Sequence, residues 1–232
     1  MMKINQKDCE THGHYLQQNQ YLKIGHFLND AFASRLSYCL ENEVDWGLAC
    51  RIDGEPQTFL NTADIQDLDS PVLEKLNTQL SEEFQFIYNT YMMVTAYIEK
   101  RDPDHFLNKV LEWLNSEKTL NYFKQLIRNP NIKKINAQAT RYLPGHFLTQ
   151  HNDEHAEEGR LYAYVIGLTK DWNPDWGGLL HILNEQGEIT KTIIPEYNSL
   201  SIFKVPQNHF VSYVSPIAKN QRLAITGWLL SK

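Results

Sequence analysis

A helical first half followed by a β-rich second half predicts an α+β fold: a closed, double-sheet jelly roll or cupin-like core with N-terminal helices packed on one sheet. Two patterns lead there. Upstream of Pro130, apolar residues recur at three- and four-residue steps, the period of amphipathic helices. Downstream, about eight short runs of alternating or β-branched residues are separated by turn residues within about a hundred positions. At 232 residues with 42% hydrophobic side chains, the chain can bury one good core. The expected division is a polar leader at 1–20, a mainly helical support region at 21–131 and a β core at 132–232, with 21–232 forming one structural domain.

Taken in order, 1–20 is polar. Its Cys9, His12 and His14 lack a fourth ligand near a terminus, which favours a loosely ordered leader over a metal site. Leu28, Ala31, Phe32, Leu36, Cys39 and Leu40 then predict a helix over 28–41. Positions 44–51 read as extended, and Asp53-Gly54 as a hairpin turn before an extended 57–60. Phe84, Ile87, Tyr88, Tyr91 and Val94 form an apolar stripe that predicts a helix beginning near Ser81, and 104–115 and 117–128 repeat the pattern. Asn129-Pro130-Asn131 ends the helical half. Strands are expected at 132–142, 147–150, 161–168, 179–183, 188–194, 199–205, 210–215 and 222–230, punctuated by Pro144-Gly145, Gly177-Gly178, Gln186-Gly187 and Pro206.

With 22 basic against 28 acidic side chains, the net charge of -6 disfavours a sequence-independent grip on nucleic-acid phosphates. No apolar run approaches the roughly 18 to 20 residues of a membrane span, and 1–15 lacks the apolar stretch of a secretory signal. A cytoplasmic protein without a membrane partner is the expectation. The three cysteines cannot all pair internally and show no C-x-x-C spacing, so they are expected to be reduced thiols, two of them in the core.

The chemistry concentrates in the β half. In an extended segment His151 and Asp153 project to one face and can converge on one metal. His151 and His155 also stand at zinc-hydrolase spacing, but the carboxylate that would follow His151 is Asn152, and the strand context opposes a helix. His209, at the start of a distant strand, can supply a third ligand; its alternative is a strand-edge histidine bonded to backbone. Two histidines and a carboxylate form the facial triad usual in non-haem Fe(II) oxygenases. On the last strand, period two puts Arg222, Ala224, Thr226 and Trp228 on one face. Arg222 with Thr226 would make a receptor for a small dicarboxylate, since guanidinium binds carboxylate as a fork. Tyr142 can add its hydroxyl to the same anion or serve as a core tyrosine. Leu180 and Ile182 are expected to face the pocket and turn His181 outward. Gln138, sharing a strand face with Asn136, Thr140 and Tyr142, and Trp228 are further pocket candidates. His146 is not expected to ligate.

The ordered set Tyr142, Gly145, His151-x-Asp153, Gly177-Gly178, His209-x-Val211 and Arg222…Thr226-x-Trp228 resembles the prolyl 4-hydroxylase-like branch of the Fe(II)/2-oxoglutarate-dependent dioxygenases over roughly 132–230. Within it, the chain resembles bacterial prolyl hydroxylase-like proteins and the catalytic domain of ribosomal-protein prolyl hydroxylases. The resemblance implies a double-stranded β-helix, with His151, Asp153 and His209 holding Fe(II). Arg222 would anchor the distal carboxylate of 2-oxoglutarate with help from Tyr142 and Thr226. It also implies O2 as oxidant, ascorbate as a reductant, succinate and CO2 as co-products, and a prolyl residue of a peptide or protein as substrate. The same chemistry on a small molecule or free amino acid, and a non-catalytic cupin-like binding protein, are the competing readings. One departure stands out: Gly167 occupies a position where some relatives carry a tyrosine aimed at the co-substrate, while Tyr162 and Tyr164 share the opposite strand face.

Overall fold

The computed structural model describes residues 6–52, 55–59 and 84–232. Its first elements are α1 (Gln6–Asn19), β1 (Tyr21–Gly25), α2 (Asp30–Asn42), β2 (Gly47–Ile52) and β3 (Glu55–Phe59). After β4 (Phe86–Tyr91) come α3 (Met93–Glu99), α4 (Phe106–Leu114) and α5 (Glu117–Leu126). The remainder is strand: β5 (Lys134–Ile135), β6 (Gln138–Tyr142), β7 (Phe147–His151), β8 (Arg160–Gly167), β9 (Leu180–Leu183), β10 (Ile189–Ile193), β11 (Ser199–Lys204), β12 (His209–Val211) and β13 (Arg222–Leu230). Local chemistry sets the helix starts. Asn29 caps α2 by accepting a 2.8 Å bond from the Phe32 N–H, and Ser116 caps α5 through the Thr119 N–H, each worth about 1 kcal/mol.

The strands form one curled antiparallel system in the order β1-β11-β8-β13-β6-β4-β7-β12-β9-β10, with β2 and β3 attached at β4 and β5 at β13. This is the α+β, jelly-roll architecture expected. Strand alternation gives it two cores. Tyr164, Ile166, Leu200, Ile202, Leu223, Ile225 and Leu229 point outward and pack beneath the helices, against Leu36, Leu40, Leu114, Phe123 and Leu126. Full burial of each such side chain contributes roughly 1.5–3 kcal/mol, which is what fixes the helical layer to this face. The opposite faces of β8 and β11, together with β6, β9 and β12, line the barrel interior with Tyr142, Ala163, Leu180, Ile182, Phe203 and Val211.

Three expectations give way. Residues 6–19 are not a loose leader: α1 buries Cys9 and Leu16 and packs on α5. The stripe from Phe84 to Tyr91 is not helical. Phe86–Tyr91 is strand β4, inserted between β6 and β7, so the 21–131 region contributes four strands to the sheet. All three cysteines, not two, are buried free thiols. The Asp53-Gly54 turn and the expected helix start near Ser81 lie outside the described residues, although β2 and β3 pair around the former as a hairpin would. Among the described residues no helix is long and apolar enough to cross a membrane.

Candidate metal centre

Antiparallel pairing of β12 with β7 sets His209 directly opposite His151, with ring centroids 4.1 Å apart. Asp153 lies just past the end of β7. Its Oδ1 is 3.3 Å from His151 Nε2 and its Oδ2 is 3.4 Å from His209 Nε2. The three ligand atoms all lie within 4.8 Å of one another, the one such grouping among the described residues.

Backbone carbonyls select the tautomers. His151 Nδ1 lies 2.9 Å from the Thr149 carbonyl oxygen, and His209 Nδ1 lies 2.7 Å from that of Gln207. A carbonyl can only accept, so each Nδ1 carries the proton and each Nε2 turns a lone pair toward the shared centre. Burial lowers the His209 pKa to about 4, with His151 adding to the effect and Asp153 opposing it. For Asp153, burial works to raise the pKa. The neighbouring His151 and His209 rings outweigh it, so the carboxyl lies below its ordinary value. Imidazole lone pairs turned toward a carboxylate are what a divalent cation requires.

A cavity of about 630 Å³ opens from this cluster into the barrel, lined by every predicted site residue: Gln138, Tyr142, His151, Asp153, Leu180, His209, Arg222, Thr226 and Trp228. Arg222 pairs across the ladder with Tyr142, and its guanidinium carbon sits 4.7 Å from the Tyr142 ring centroid. It is buried, and burial lowers its pKa from the ordinary arginine value. Among the described residues no carboxylate pairs with it, and its Nη1 has no hydrogen-bond partner. Thr226 Oγ1 is likewise buried without a partner, whereas the buried Trp228 indole interacts with the Asp153 carboxylate. An unpaired buried cation is costly, so the Arg222 and Thr226 donors fit an anion that enters with a ligand. The donor set of the cluster fits Fe(II) equally well.

Residues 137–230 match the sequence pattern of the 2OG-Fe(II) oxygenase superfamily. They belong to it. Fe(II) and 2-oxoglutarate are the cofactor and co-substrate that this membership and the triad imply. Among curated proteins, the chain is similar to prolyl 3-hydroxylase OGFOD1 of Xenopus laevis, 28% identical over 116 residues, which cover 46% of this chain and 22% of that protein. The chain thus spans about a fifth of that relative's length. Among solved structures, a prolyl-4-hydroxylase of Pseudomonas putida superposes with a TM-score of 0.62 at 15% identity, covering 97% of this chain and 99% of the other. A Trichoplax adhaerens prolyl hydroxylase, in complex with a hypoxia inducible factor oxygen degradation domain peptide fragment, gives 0.59 at 14% identity over 99% and 94%. At these identities the likeness is one of fold.

The other histidines stand outside the metal grouping, although His155 also lines the cavity. His155 sits in an irregular loop where its Nδ1 accepts from the Glu158 N–H, outside the metal grouping. His181 points away from the cavity, bonded to the Thr192 hydroxyl and stacked on Phe210. His146 accepts from the Leu143 N–H. Asn136 leaves the pocket face, its side-chain oxygen accepting from the Trp228 N–H. At Gly167 a Cβ would collide with the Glu196 carbonyl oxygen, so backbone fills the space where a side chain would stand. Tyr162 and Tyr164 do face the opposite side, in the core beneath the helices.

Two features escaped the sequence reading. Phe84, Phe86 and Tyr88 form an aromatic wall along the cavity, with successive centroids 5.3 and 5.8 Å apart, and Phe84 lies 5.2 Å from the His151 ring. Their period-two spacing was visible, but Phe84, Ile87, Tyr88 and Tyr91 also fit a helical period. Arg160 also lines the cavity, although simple alternation would place it with Tyr162 on the far face.

Proposed function

We propose that the chain is an iron- and 2-oxoglutarate-dependent hydroxylase whose substrate is a prolyl residue in a peptide or protein. The observation that carries the oxygenase reading is the buried, unpartnered Arg222 in the same cavity as the His151, Asp153 and His209 cluster. Fe(II) on the cluster and 2-oxoglutarate anchored by Arg222 would together supply oxygen activation, with succinate, CO2 and a hydroxylated C–H bond as products. Arg222 and Thr226 would bind and orient the distal carboxylate, with Tyr142 fixing the guanidinium plane from its ring face. Leu180 and Ala163 would keep water from the inner cavity, and Gln138 and Trp228 would border the bound molecules.

The prolyl assignment rests on the aromatic wall of the cavity. A pyrrolidine ring is apolar, saturated and rich in C–H groups, and it packs well against aromatic faces such as Phe84, Phe86 and Tyr88. The printed names of the similar proteins, prolyl hydroxylases, agree with that choice. Buried free thiols fit a reducing compartment, and we place the protein in the cytoplasm.

Anaerobic protein supplied with Fe(II) and 2-oxoglutarate is expected to develop a weak visible charge-transfer band that oxygen discharges as succinate appears. No band in fully iron-loaded protein would sink the oxygenase reading. Proline-containing peptides and cell lysate would then be screened by mass spectrometry for a gain of one oxygen atom mapped to proline. Oxygen added only to other residue types, or to small metabolites, would overturn the prolyl assignment while leaving the oxygenase intact.

A further inference from the structure

Arg160 opens β8, whose odd positions Ala163 and Val165 face the barrel interior while Tyr162, Tyr164 and Ile166 face the helices. Strict alternation would send Arg160 to the helix side. The ladder between β8 and β13 slips here: Leu229 pairs with Tyr162 and Leu230 with Arg160, a bulge that sends Leu161 against the helix-side core and Arg160 into the cavity. Bulges of this kind commonly re-aim one side chain beside a site. Once turned, Arg160 is fastened on three sides. Its guanidinium carbon lies 3.6 Å from the Trp228 ring centroid, and its Nε donates a 2.7 Å bond to Glu158 Oε2. Its Nη1 donates at 3.3 Å to the backbone oxygen of Asp153 and stands 3.9 Å from that residue's Oδ1.

Asp153 is the member of the metal cluster that most needs holding. Its φ is +62°, a left-handed value uncommon outside glycine though better tolerated by Asp than by most residues, and it sits in an irregular segment past the end of β7. The two histidines are fixed by backbone carbonyls, and Arg160 holds the carboxylate residue at both its main chain and its side chain.

We propose that Arg160 is a positioning residue that keeps Asp153 in its left-handed, metal-facing geometry, the bulge in β8 being the device that delivers it. The inference rests on the oxygenase reading, and its test separates the two. Outer groups that orient metal ligands typically change metal affinity 10- to 100-fold when removed. Affinity for Co(II), followed by its visible absorption bands, and for Fe(II) under anaerobic conditions, would be measured on the full chain and on Arg160→Met, Arg160→Lys and Glu158→Gln. Arg160→Met keeps the contact with Trp228 and loses the donors; its expected affinity is 10- to 100-fold weaker, with altered Co(II) bands. Arg160→Lys keeps the charge without the planar fork and is expected not to rescue binding. Glu158→Gln, on the loop surface, weakens one anchor without threatening the fold and should show the same change at about threefold to tenfold. Metal affinities within twofold of the unaltered chain in the folded variants would overturn the assignment. Absence of binding by the unaltered chain would remove the oxygenase reading and this inference with it.

Discussion

Replacing Arg222 by Met should stabilise the ligand-free protein and abolish its response to 2-oxoglutarate, two effects of opposite sign from one side chain. In the ligand-free chain Arg222 is 6% exposed, with no carboxylate partner among the described residues. Its desolvation costs several kcal/mol. The face of Tyr142, 4.7 Å away, returns about 0.5–2 kcal/mol of that as a cation–π contact. Methionine has similar length and no charge to desolvate, so the net gain should be about 1–2 kcal/mol, or about 2–8 °C in Tm for a chain of this size. With ligand the sign reverses. At a concentration 100 times its Kd, 2-oxoglutarate stabilises the metal-loaded native chain by about 2.7 kcal/mol, a rise of about 5–10 °C. Loss of one partner from a buried charge pair costs about 3 kcal/mol or more, over a hundredfold in Kd. At the same concentration the variant should then rise by less than about 2 °C. Thermal unfolding of both proteins loaded with Mn(II), with and without 2-oxoglutarate, measures all four quantities. A ligand-free variant more than about 4 °C less stable than its parent would mean that a protein group pairs with Arg222. A preserved ligand response would mean that the dicarboxylate docks elsewhere.

Burial lowers the His146 pKa to about 4, so the folded chain binds this proton less readily than the unfolded chain does. Its contribution is therefore complete above the unfolded value near 6.5 and fades as pH falls toward 4; in urea unfolding, metal-free protein should lose about 2 kcal/mol between pH 8 and pH 5 through His146 and a similar amount through His209, and His146→Asn should remove only the first share. Leu16→Ala removes a fully buried side chain from α1 and should cost about 2–4 kcal/mol in the same assay; a change under 0.5 kcal/mol would return 6–19 to the status of a dispensable leader. Phe86→Ala opens the middle of the aromatic wall, between Phe84 and Tyr88. It should raise KM for a peptide substrate about tenfold or more while succinate release without substrate stays at the parent rate, and an unchanged KM would remove the wall from the substrate site.

The β half was legible because its strands carry one polar and one apolar face and end at Gly and Pro residues. Period-two alternation placed Arg222, Thr226 and Trp228 together before any coordinates, and the cavity contains all three. Long-range pairing is what the linear pattern lacks. His209 meets His151 through the β12 and β7 ladder, and the sequence could supply that partner only through the ordered motif set. β4 was misread because its apolar residues satisfy two periods at once. Its assignment is decided by an empty place between β6 and β7, which belongs to the tertiary structure. The α1 error has a different cause. Its buried stripe is Cys9, Gly13 and Leu16, and small residues register weakly as hydrophobic anchors. At Gly13 a Cβ would stand 3.0 Å from the Leu126 carbonyl oxygen, so the glycine marks a close helix approach. Arg160 was hidden by a single extra residue in β8, which inverts alternation beyond it.

The placement of β1 and β4 also bears on how the chain folds as it is made. Among the described residues β1 pairs only with β11, Tyr21 facing Phe203, and β4 waits for β6 and β7. Early in translation β1 therefore lacks its partner, and β4 has only β2 beside it. Such distant pairings belong to the slow, millisecond-to-second range of folding. The hydrogen bonds inside the helices of the first half are local and can form beforehand, but the sheet is joined only after β13, which lies between β8 and β6, has left the ribosome. Chaperone capture of nascent chains should accordingly peak before that point and fall after it.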